Sequence, residues 1–257
     1  MTVEDRELPV HGAGDVAVPF VMAGLFEVLE SDTRWSEHAH PTHELLWTEH
    51  GSCTATVGTR VFTITPSVGL WIPAGVRHAG WTAAGVELRA MQFGVDSVPA
   101  IAEQPVPVDV TPLLRLLLER LNEPDLGDEA RAHAETVVLD LLEPAPNALL
   151  LRLPESPLLA PIVSAVRHDP ADPTTLAEWA GRLGVSSRTL SRAFHAETGL
   201  GFSRWLAAIR AQVAIGMLAH GADLDEVATA AGFGSASAFG TAFRRVTGVS
   251  PGRFRAQ

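Results

Sequence analysis

Several features common in proteins are missing from this 257-residue sequence. Only one cysteine, Cys53, is present, so a disulfide within the chain is excluded, which fits a reducing compartment. We interpret Cys53 as a small buried hydrophobic residue; the alternative is that its thiol is a redox sensor. No apolar run reaches transmembrane length, and no basic-then-apolar signal segment opens the chain. We therefore expect a soluble, cytoplasmic protein with no membrane partner.

Lysine is also absent, so all 19 basic residues are arginines. Residues 1–157 carry nine arginines against 23 acidic residues, whereas residues 158–257 carry ten against seven. The net charge of −11 disfavours nucleic acid as a partner, but the second segment is slightly basic. Such asymmetry predicts two domains that have different partners.

The first part of the chain, residues 1 to about 107, has the pattern of β-structure. Short β-branched runs alternate with Gly and Pro, and Gly58 marks a hairpin turn between two runs. Many short strands with close turn signals predict a sandwich or a barrel. Over residues 111–143 the apolar residues change to helical spacing, which predicts two helices that pack on this domain or on a second subunit.

Five prolines lie in the segment EPAPNALLLRLPESPLLAP, residues 143–161. Because proline interrupts helices and stiffens extended chain, this segment predicts a domain boundary. We expect a β-barrel domain with flanking helices over residues 1–145, a Pro-rich linker over 146–161 and an all-helical domain over 162–257.

The helical part contains a weak internal repeat, in which AFHAETG and AFRRVTG lie 49 residues apart. Each copy follows a helical segment, a glycine turn (Gly184 or Gly232) and a Ser-rich helix start, which is the order of a helix-turn-helix. The second helix of that motif enters the DNA major groove. The helix predicted between the copies has about 17 residues and would span roughly 25 Å, enough to separate two recognition helices by one DNA turn.

The segment GFGSASAFGTAFRRVTGVSPGRFR resembles the signature of the AraC family of bacterial transcription regulators, and LGVSSRTLSRAFHAETG resembles that family's first helix-turn-helix unit. The resemblance covers about the last 90 residues and implies a regulator that binds double-stranded promoter or operator DNA, as a homodimer. It implies that DNA is contacted by Arg188, Thr189, Ser191, Arg192, Ser237, Thr241, Arg244 and Arg245. The second unit also offers Ala236 and Gly240, which are poor base readers, so Arg244 and Arg245 are expected to bind phosphate.

The N-terminal domains of this family are often cupins, small β-barrels that bind an effector, and two cupin motifs are present. The first corresponds to His38, His40, Glu44 and Gly51, and the second to Pro73, Gly75 and His78. The sequence departs from the motifs at Asp32 and Thr82, both outside the metal-ligand positions. The resemblance therefore implies a metal site formed by His38, His40, Glu44 and His78.

Physical reasoning is consistent with that ligand set. Residues two apart on a strand share a face, so His38 and His40 can converge inside a barrel. Three imidazoles and one carboxylate suit a divalent transition metal such as Zn, Fe, Mn, Ni or Cu. A regular strand would turn His43 away, but Pro41 makes the strand irregular and leaves His43 as a substitute ligand. Alternatively, the histidines line a metal-free pocket for an organic effector, or simply pack.

Four tryptophans flank the histidines, and we predict that they wall an effector pocket, with core packing as the alternative. These are Trp35, Trp47, Trp71 and Trp81. Glu49 and His50 are expected to be exposed at a turn.

Together these features predict a sequence-specific DNA-binding regulator, not an enzyme, whose cupin domain senses a small-molecule or metal effector. Such sensing requires the effector to prefer one arrangement of the protein over another. The alternative is a metal-dependent cupin enzyme, an oxygenase or isomerase, fused to a helical domain. Substrate turnover, or loss of specific DNA binding on truncation at Pro157, distinguishes the two.

Overall fold

The computed structural model describes residues 3–145, 150–219, 221–247 and 250–255. The chain forms two compact units, Met1–Gly58 with Phe62–Ala148, and Thr59–Val61 with Leu149–Gln257. The first four residues of the predicted linker, 146–149, lie outside the described residues.

The first unit is built from ten strands in two sheets. Its strands are β1 (Val3–Arg6), β2 (Met22–Val28), β3 (Asp32–His38), β4 (His43–His50), β5 (Cys53–Val57), β6 (Arg60–Ile64), β7 (Val68–Ile72), β8 (His78–Thr82), β9 (Glu87–Phe93) and β10 (Val106–Asp109). One sheet contains β1-β3-β8-β5-β6 in that order, and the other has the order β10-β7-β4-β9-β2. The predicted β-rich domain is confirmed, and Gly58 occupies the turn between β5 and β6 with φ of +55°.

Two helices complete the first unit, α1 (Pro112–Arg120) and α2 (Asp128–Leu141), as the helical spacing predicted. Helix α1 begins with Thr111 as its N-cap, whose hydroxyl accepts a hydrogen bond from the Leu114 amide, and with a proline in the first turn. Leu114 and Leu118 of α1 and Val138 of α2 are buried in one core with side chains of the second sheet. The helices therefore pack on their own domain, which is one of the two arrangements that the sequence predicted.

Among the described residues, the part of the second unit that follows residue 149 is helical apart from one short strand. Its elements are β11 (Leu150–Arg152), α3 (Ala160–His168), α4 (Leu176–Arg182), α5 (Ser187–Thr198), α6 (Phe202–Ala219), α7 (Leu224–Ala230), α8 (Ala236–Thr247) and α9 (Pro251–Arg255). Helix α6 has 18 residues and corresponds to the predicted connecting helix of about 17. Among the described residues, no helix combines the length and apolarity needed to cross a membrane.

Each helix-turn-helix has its own hydrophobic core, and α6 contributes to both. In the first core, the Phe194 ring lies 5.1 Å from the Trp205 ring of α6, centroid to centroid. In the second core, Phe239 and Phe243 of α8 pack with Ile215 from the later part of α6. Because α6 contributes side chains to both cores, it fixes the separation of the two helix-turn-helix motifs along its length.

The closing segment SPGRFR, residues 250–255, has a structural explanation. The Ser250 hydroxyl accepts a hydrogen bond from the Arg253 amide, Pro251 begins α9, and the Phe254 ring lies 5.6 Å from the Phe243 ring. A capping serine and a proline at the helix start favour this short helix. Helix α9 thereby adds Phe254 to the core beneath α8.

Candidate metal site and nucleic-acid interface

The four predicted metal ligands converge in the first unit. His38, His40 and His78 each place one ring nitrogen within 4.8 Å of the others. Nε2 of His40 lies 3.7 Å from Oε1 of Glu44, and Nε2 of His78 lies 3.6 Å from Oε2. The structure thus brings together three imidazoles and a carboxylate from separate parts of the chain.

The way in which the strands position these ligands differs from the expectation. His38 and His40 were expected two apart on one regular strand, but β3 ends at His38 and its pairing with β8 is irregular between Trp35 and His38. His40 lies beyond the strand, where its carbonyl accepts a hydrogen bond of 2.9 Å from the Gly75 amide. Beyond His38 the chain pairs elsewhere, because Ala39 forms a bridge with Val10.

Hydrogen bonds fix the ring protons of two of the histidines. Nδ1 of His38 lies 2.8 Å from the Ser36 carbonyl oxygen, and Nδ1 of His78 lies 3.0 Å from that of Val76. Because a carbonyl oxygen can only accept, each Nδ1 must carry the proton. In a neutral ring, Nε2 then keeps its lone pair, which is the arrangement that metal-binding histidines adopt.

Burial determines the protonation of the cluster. Burial, together with the neighbouring His38 and His11, lowers the pKa of His40 to about 4. Burial also lowers the pKa of His78, although the Glu44 carboxylate opposes that change. Burial raises the pKa of Glu44 itself. At neutral pH the His40 and His78 rings are therefore neutral, which is the form that binds a metal.

Sequence reasoning missed Gln92, which contacts the cluster, and Thr42, which contacts Gln92. Nε2 of Gln92 donates a hydrogen bond of 2.8 Å to Oε1 of Glu44, and the Thr42 hydroxyl donates to Oε1 of Gln92. Gln92 lies opposite Glu44 in the pairing of β9 with β4, so both side chains leave the sheet on one face. Only knowledge of this register could have identified Gln92.

His43 has a structural role and is not the substitute ligand that Pro41 left open. Its Nδ1 accepts a hydrogen bond of 2.9 Å from the Ala74 amide, and its ring stacks on Trp71 with centroids 5.3 Å apart. Burial lowers its pKa, although a hydrogen bond with the Val98 backbone opposes the change. The His43 ring is therefore held by the Ala74 amide and by Trp71, on the face of β4 opposite Glu44.

The four tryptophans are not brought together, which corrects the prediction of one aromatic wall. Trp47 and Trp71 are buried in the core cluster, on the sheet face opposite Glu44. Trp81 is 42% exposed. Trp35 alone lies on the face of its sheet shared with His78, packed against Gly80, where a Cβ atom would come within 3.1 Å of the indole.

Three smaller expectations, for Cys53, His50 and Glu49, have different outcomes. Cys53 is buried, and burial raises the pKa of its thiol, so the thiolate needed for redox sensing is disfavoured. His50 is exposed, as expected. The exposure expected for Glu49 is wrong, because its carboxylate forms a 3.0 Å ion pair with Arg115 of α1 and is largely buried.

In the second unit, α4 and α5 form the first helix-turn-helix. Gly184 has φ of +67° in the turn, and Ser186 caps α5 by accepting a hydrogen bond from the Thr189 amide. Leu190 and Phe194 are buried on one side of α5. The opposite side exposes all four residues predicted to contact DNA from this unit, Arg188, Thr189, Ser191 and Arg192.

The exposed side of α5 has the properties of a DNA-contacting surface. Arg188, Thr189 and Arg192 line a concave surface together with Ser186, Ala193 and Ala196. Among the described residues, neither arginine has a carboxylate partner within ion-pair distance. Both guanidinium groups are consequently available to bases or phosphates.

The second helix-turn-helix, α7 and α8, presents shorter side chains. Ser237, Thr241 and Arg244 are exposed, as predicted. The Thr241 hydroxyl donates a 3.0 Å hydrogen bond to the Ser237 carbonyl, so it is already used within its own helix. The Arg245 side chain lies outside the described residues.

The later part of the predicted linker is bonded to the first helix-turn-helix, which the sequence did not indicate. The amides of Glu155 and Ser156 both donate to Oε2 of Glu197 on α5, at 2.9 and 3.0 Å. Nε1 of Trp205 on α6 donates to the Arg152 carbonyl at 3.0 Å. The segment is thus fixed to the helix that carries Arg188 and Arg192.

Comparisons with known proteins match both units. Residues 24–142 match the AraC-like ligand binding domain, and residues 179–257 match a helix-turn-helix domain. These matches, with the two-sheet unit and the paired helix-turn-helix motifs, define a DNA-binding transcription regulator with an N-terminal ligand-binding domain. The chain belongs to the AraC family of transcription regulators.

Named relatives are consistent with this assignment. The chain is 29% identical over 224 residues to the HTH-type transcriptional regulator NimR of Escherichia coli (strain K12), covering 86% of this chain and 82% of NimR. It is 44% identical over 108 residues to the regulator RipA of Corynebacterium glutamicum, but that match covers 40% of this chain and 33% of RipA. A crystal structure of an apo ToxT variant from Vibrio cholerae aligns over 94% of this chain and 99% of ToxT, with 12% identity and a TM-score of 0.38.

Proposed function

We propose that this regulator senses a divalent transition metal, alone or with an organic effector bound to it, through His38, His40, His78 and Glu44. One observation carries the proposal: the carbonyl oxygens of Ser36 and Val76 hold the Nδ1 protons of His38 and His78 and leave each Nε2 free to bind an ion. The donor set suits Zn, Fe, Mn or Ni. When bound, the metal would supply a Lewis-acidic centre with positions open to water or an effector.

The site serves binding in this proposal, and we assign it no catalytic reaction. The same donor set would suit an oxygenase or an isomerase, which also require a neighbouring acid or base. The Glu44 carboxylate accepts a hydrogen bond from the Gln92 amide, which in turn accepts one from the Thr42 hydroxyl. Such groups orient a ligand and do not transfer its protons.

For DNA binding, we propose that the first helix-turn-helix reads bases and that the second mainly holds phosphates. Arg188 and Arg192 are exposed on α5 and have the length and donors to bind guanine in the major groove. The corresponding side of α8 offers Ser237 and a Thr241 hydroxyl engaged with its own helix. Arg244 and Arg245 would bind the backbone there.

A cytoplasmic homodimer completes the proposal. Leu113 and Leu116 of α1 and Val137 of α2 are 55%, 63% and 41% exposed, an apolar surface that a second copy of the chain would cover. Sedimentation velocity of the full chain tests this point, with the Leu116→Glu variant as comparison. A dimer that this variant converts to a monomer supports the proposal, and a monomeric wild-type protein contradicts it.

The metal-sensing proposal is tested by DNA binding at two metal states. Target DNA is first selected from a random-sequence pool with the full-length protein. Its affinity is then measured with metal-free and Zn²⁺-loaded protein, beside a His38→Ala/Glu44→Ala control. We expect at least about a tenfold change for the wild type and none for the control. Equal affinities for wild-type protein with verified metal occupancy would show that the ion is not the signal.

A further inference from the structure

Gln92 and Thr42 form a hydrogen-bonded series that ends on one oxygen of Glu44. The Thr42 hydroxyl donates to Oε1 of Gln92, and Nε2 of Gln92 donates to Oε1 of Glu44 at 2.8 Å. Thr42 is 5% and Glu44 is 6% exposed, so water competes little for either side chain. None of the sequence motifs accounts for this series.

Each hydrogen bond in the series is donated towards Glu44. With its carbonyl oxygen bound by the Thr42 hydroxyl, the Gln92 amide can present only its NH₂ group to Glu44. The flipped amide would set its carbonyl oxygen against a carboxylate oxygen, which is repulsive. The carboxylate, which can only accept, therefore selects this orientation of the Gln92 amide, and the Thr42 hydroxyl holds the amide in place at its other end.

We propose that Gln92, held in place by Thr42, is a positioning residue that holds the Glu44 carboxylate in the orientation required to bind the metal. Gln92 binds Oε1, which also lies 3.7 Å from Nε2 of His40, while Oε2 lies 3.6 Å from Nε2 of His78. Gln92 does for the carboxylate what the Ser36 and Val76 carbonyls do for the imidazoles. The inference rests on the proposed metal site, because its effect is transmitted through Glu44.

Co²⁺ is a suitable probe, because its visible absorption reports ligand geometry while chelator competition reports affinity. The variants are Gln92→Met, which keeps length and removes the amide, Thr42→Val, which removes the hydroxyl, and Thr42→Ser, which keeps it. Thr54→Val, at an exposed hydroxyl on β5, is the control. Thermal melting of each full-length variant verifies folding.

We expect Gln92→Met to weaken Co²⁺ binding by about 10- to 100-fold and to alter the absorption spectrum. Thr42→Val should change the affinity and the spectrum in the same direction but by a smaller amount. Thr42→Ser and Thr54→Val should retain wild-type affinity and spectrum. Wild-type affinity and spectrum in Gln92→Met would overturn the role of Gln92 and leave the metal site standing. If Gln92→Met does not fold, equal affinities of Thr42→Val and Thr42→Ser would overturn it instead. A wild-type chain that binds no Co²⁺ would overturn both the metal site and this inference.

Discussion

Nε2 of His78 lies 3.6 Å from Oε2 of Glu44, although the two residues belong to strands of different sheets. His78 begins β8, and Glu44 is the second residue of β4. A buried carboxylate is costly unless it has partners, and burial raises the pKa of this one. The two sheets thus bring together groups that a bound cation would stabilise.

The structural role of His43 leads to the first prediction. Replacing it in the His43→Leu variant leaves the partly buried Ala74 amide without its acceptor, so the free energy of unfolding should fall by about 1–3 kcal/mol. Metal stoichiometry should not change, because the ring lies on the other face of β4. Urea denaturation and elemental analysis measure the two effects. The His43→Asn variant, which retains a nearby acceptor, should be less destabilised; metal loss in His43→Leu with an intact fold would instead make His43 a ligand.

Base recognition by α5 gives the second prediction. Arg188→Ala and Arg192→Ala should each weaken specific DNA binding by about 1–3 kcal/mol, because both guanidinium groups are exposed on the recognition helix. Competition with non-specific DNA measures the loss of specificity.

Matched variants distinguish base contacts from phosphate contacts. Arg188→Lys keeps the charge but loses the two-pronged geometry, so it should not restore specificity if Arg188 reads a base. Arg167→Ala, at an exposed position of α3, is the control and should bind as the wild type does. Unchanged affinity and specificity in both alanine variants would contradict base recognition by the first helix-turn-helix.

The hydrogen bonds from Glu155 and Ser156 to Glu197 give the third prediction. Glu197→Leu removes the shared acceptor of two amides and should lower the unfolding free energy of the second unit by about 1–3 kcal/mol. Glu197→Gln retains one acceptor oxygen and should lose less. Denaturation of the full chain, followed by tryptophan fluorescence, measures both, and wild-type stability of Glu197→Leu would show that these bonds contribute nothing.

The same carboxylate predicts a pH dependence. Burial raises its pKa, but hydrogen bonds from Ser156 and Glu155 outweigh burial and hold the pKa below the usual value of 4.5. A carboxyl group with a lowered folded pKa stabilises the fold above its unfolded pKa and loses that contribution as the pH falls through the folded value. The stability difference between wild type and Glu197→Gln should therefore shrink below about pH 4.5. A difference that is constant with pH would contradict this linkage.

The general architecture could be predicted from local sequence signals. The glycine turn at Gly58, the capping serine at Ser186 and the helical spacing of α1 and α2 all depend on neighbouring residues and are found in the structure. The convergence of His38, His40, Glu44 and His78 came from motif resemblance, since spacing alone could pair only His38 with His40. Even that pairing rested on a regular strand, which the end of β3 at His38 makes wrong.

The rest depends on contacts between distant residues. Gln92 meets Glu44 through the register of β9 with β4, and Glu197 meets the linker through tertiary packing. The tryptophans show the same limit, because the strand face, which local sequence did not determine, separates Trp47 and Trp71 from the metal-site histidines. Hydrophobic type alone predicted burial for those two residues but not the space they would fill.

The most direct test of the account is the metal content of the wild-type chain. Tag-free protein purified without chelator is analysed by elemental mass spectrometry, beside His38→Ala/Glu44→Ala with its fold verified by circular dichroism. The account predicts about one divalent transition metal ion per wild-type chain and its loss in the double variant. A wild-type chain that holds no metal, even after reconstitution with Fe, Mn, Ni and Zn, would contradict it.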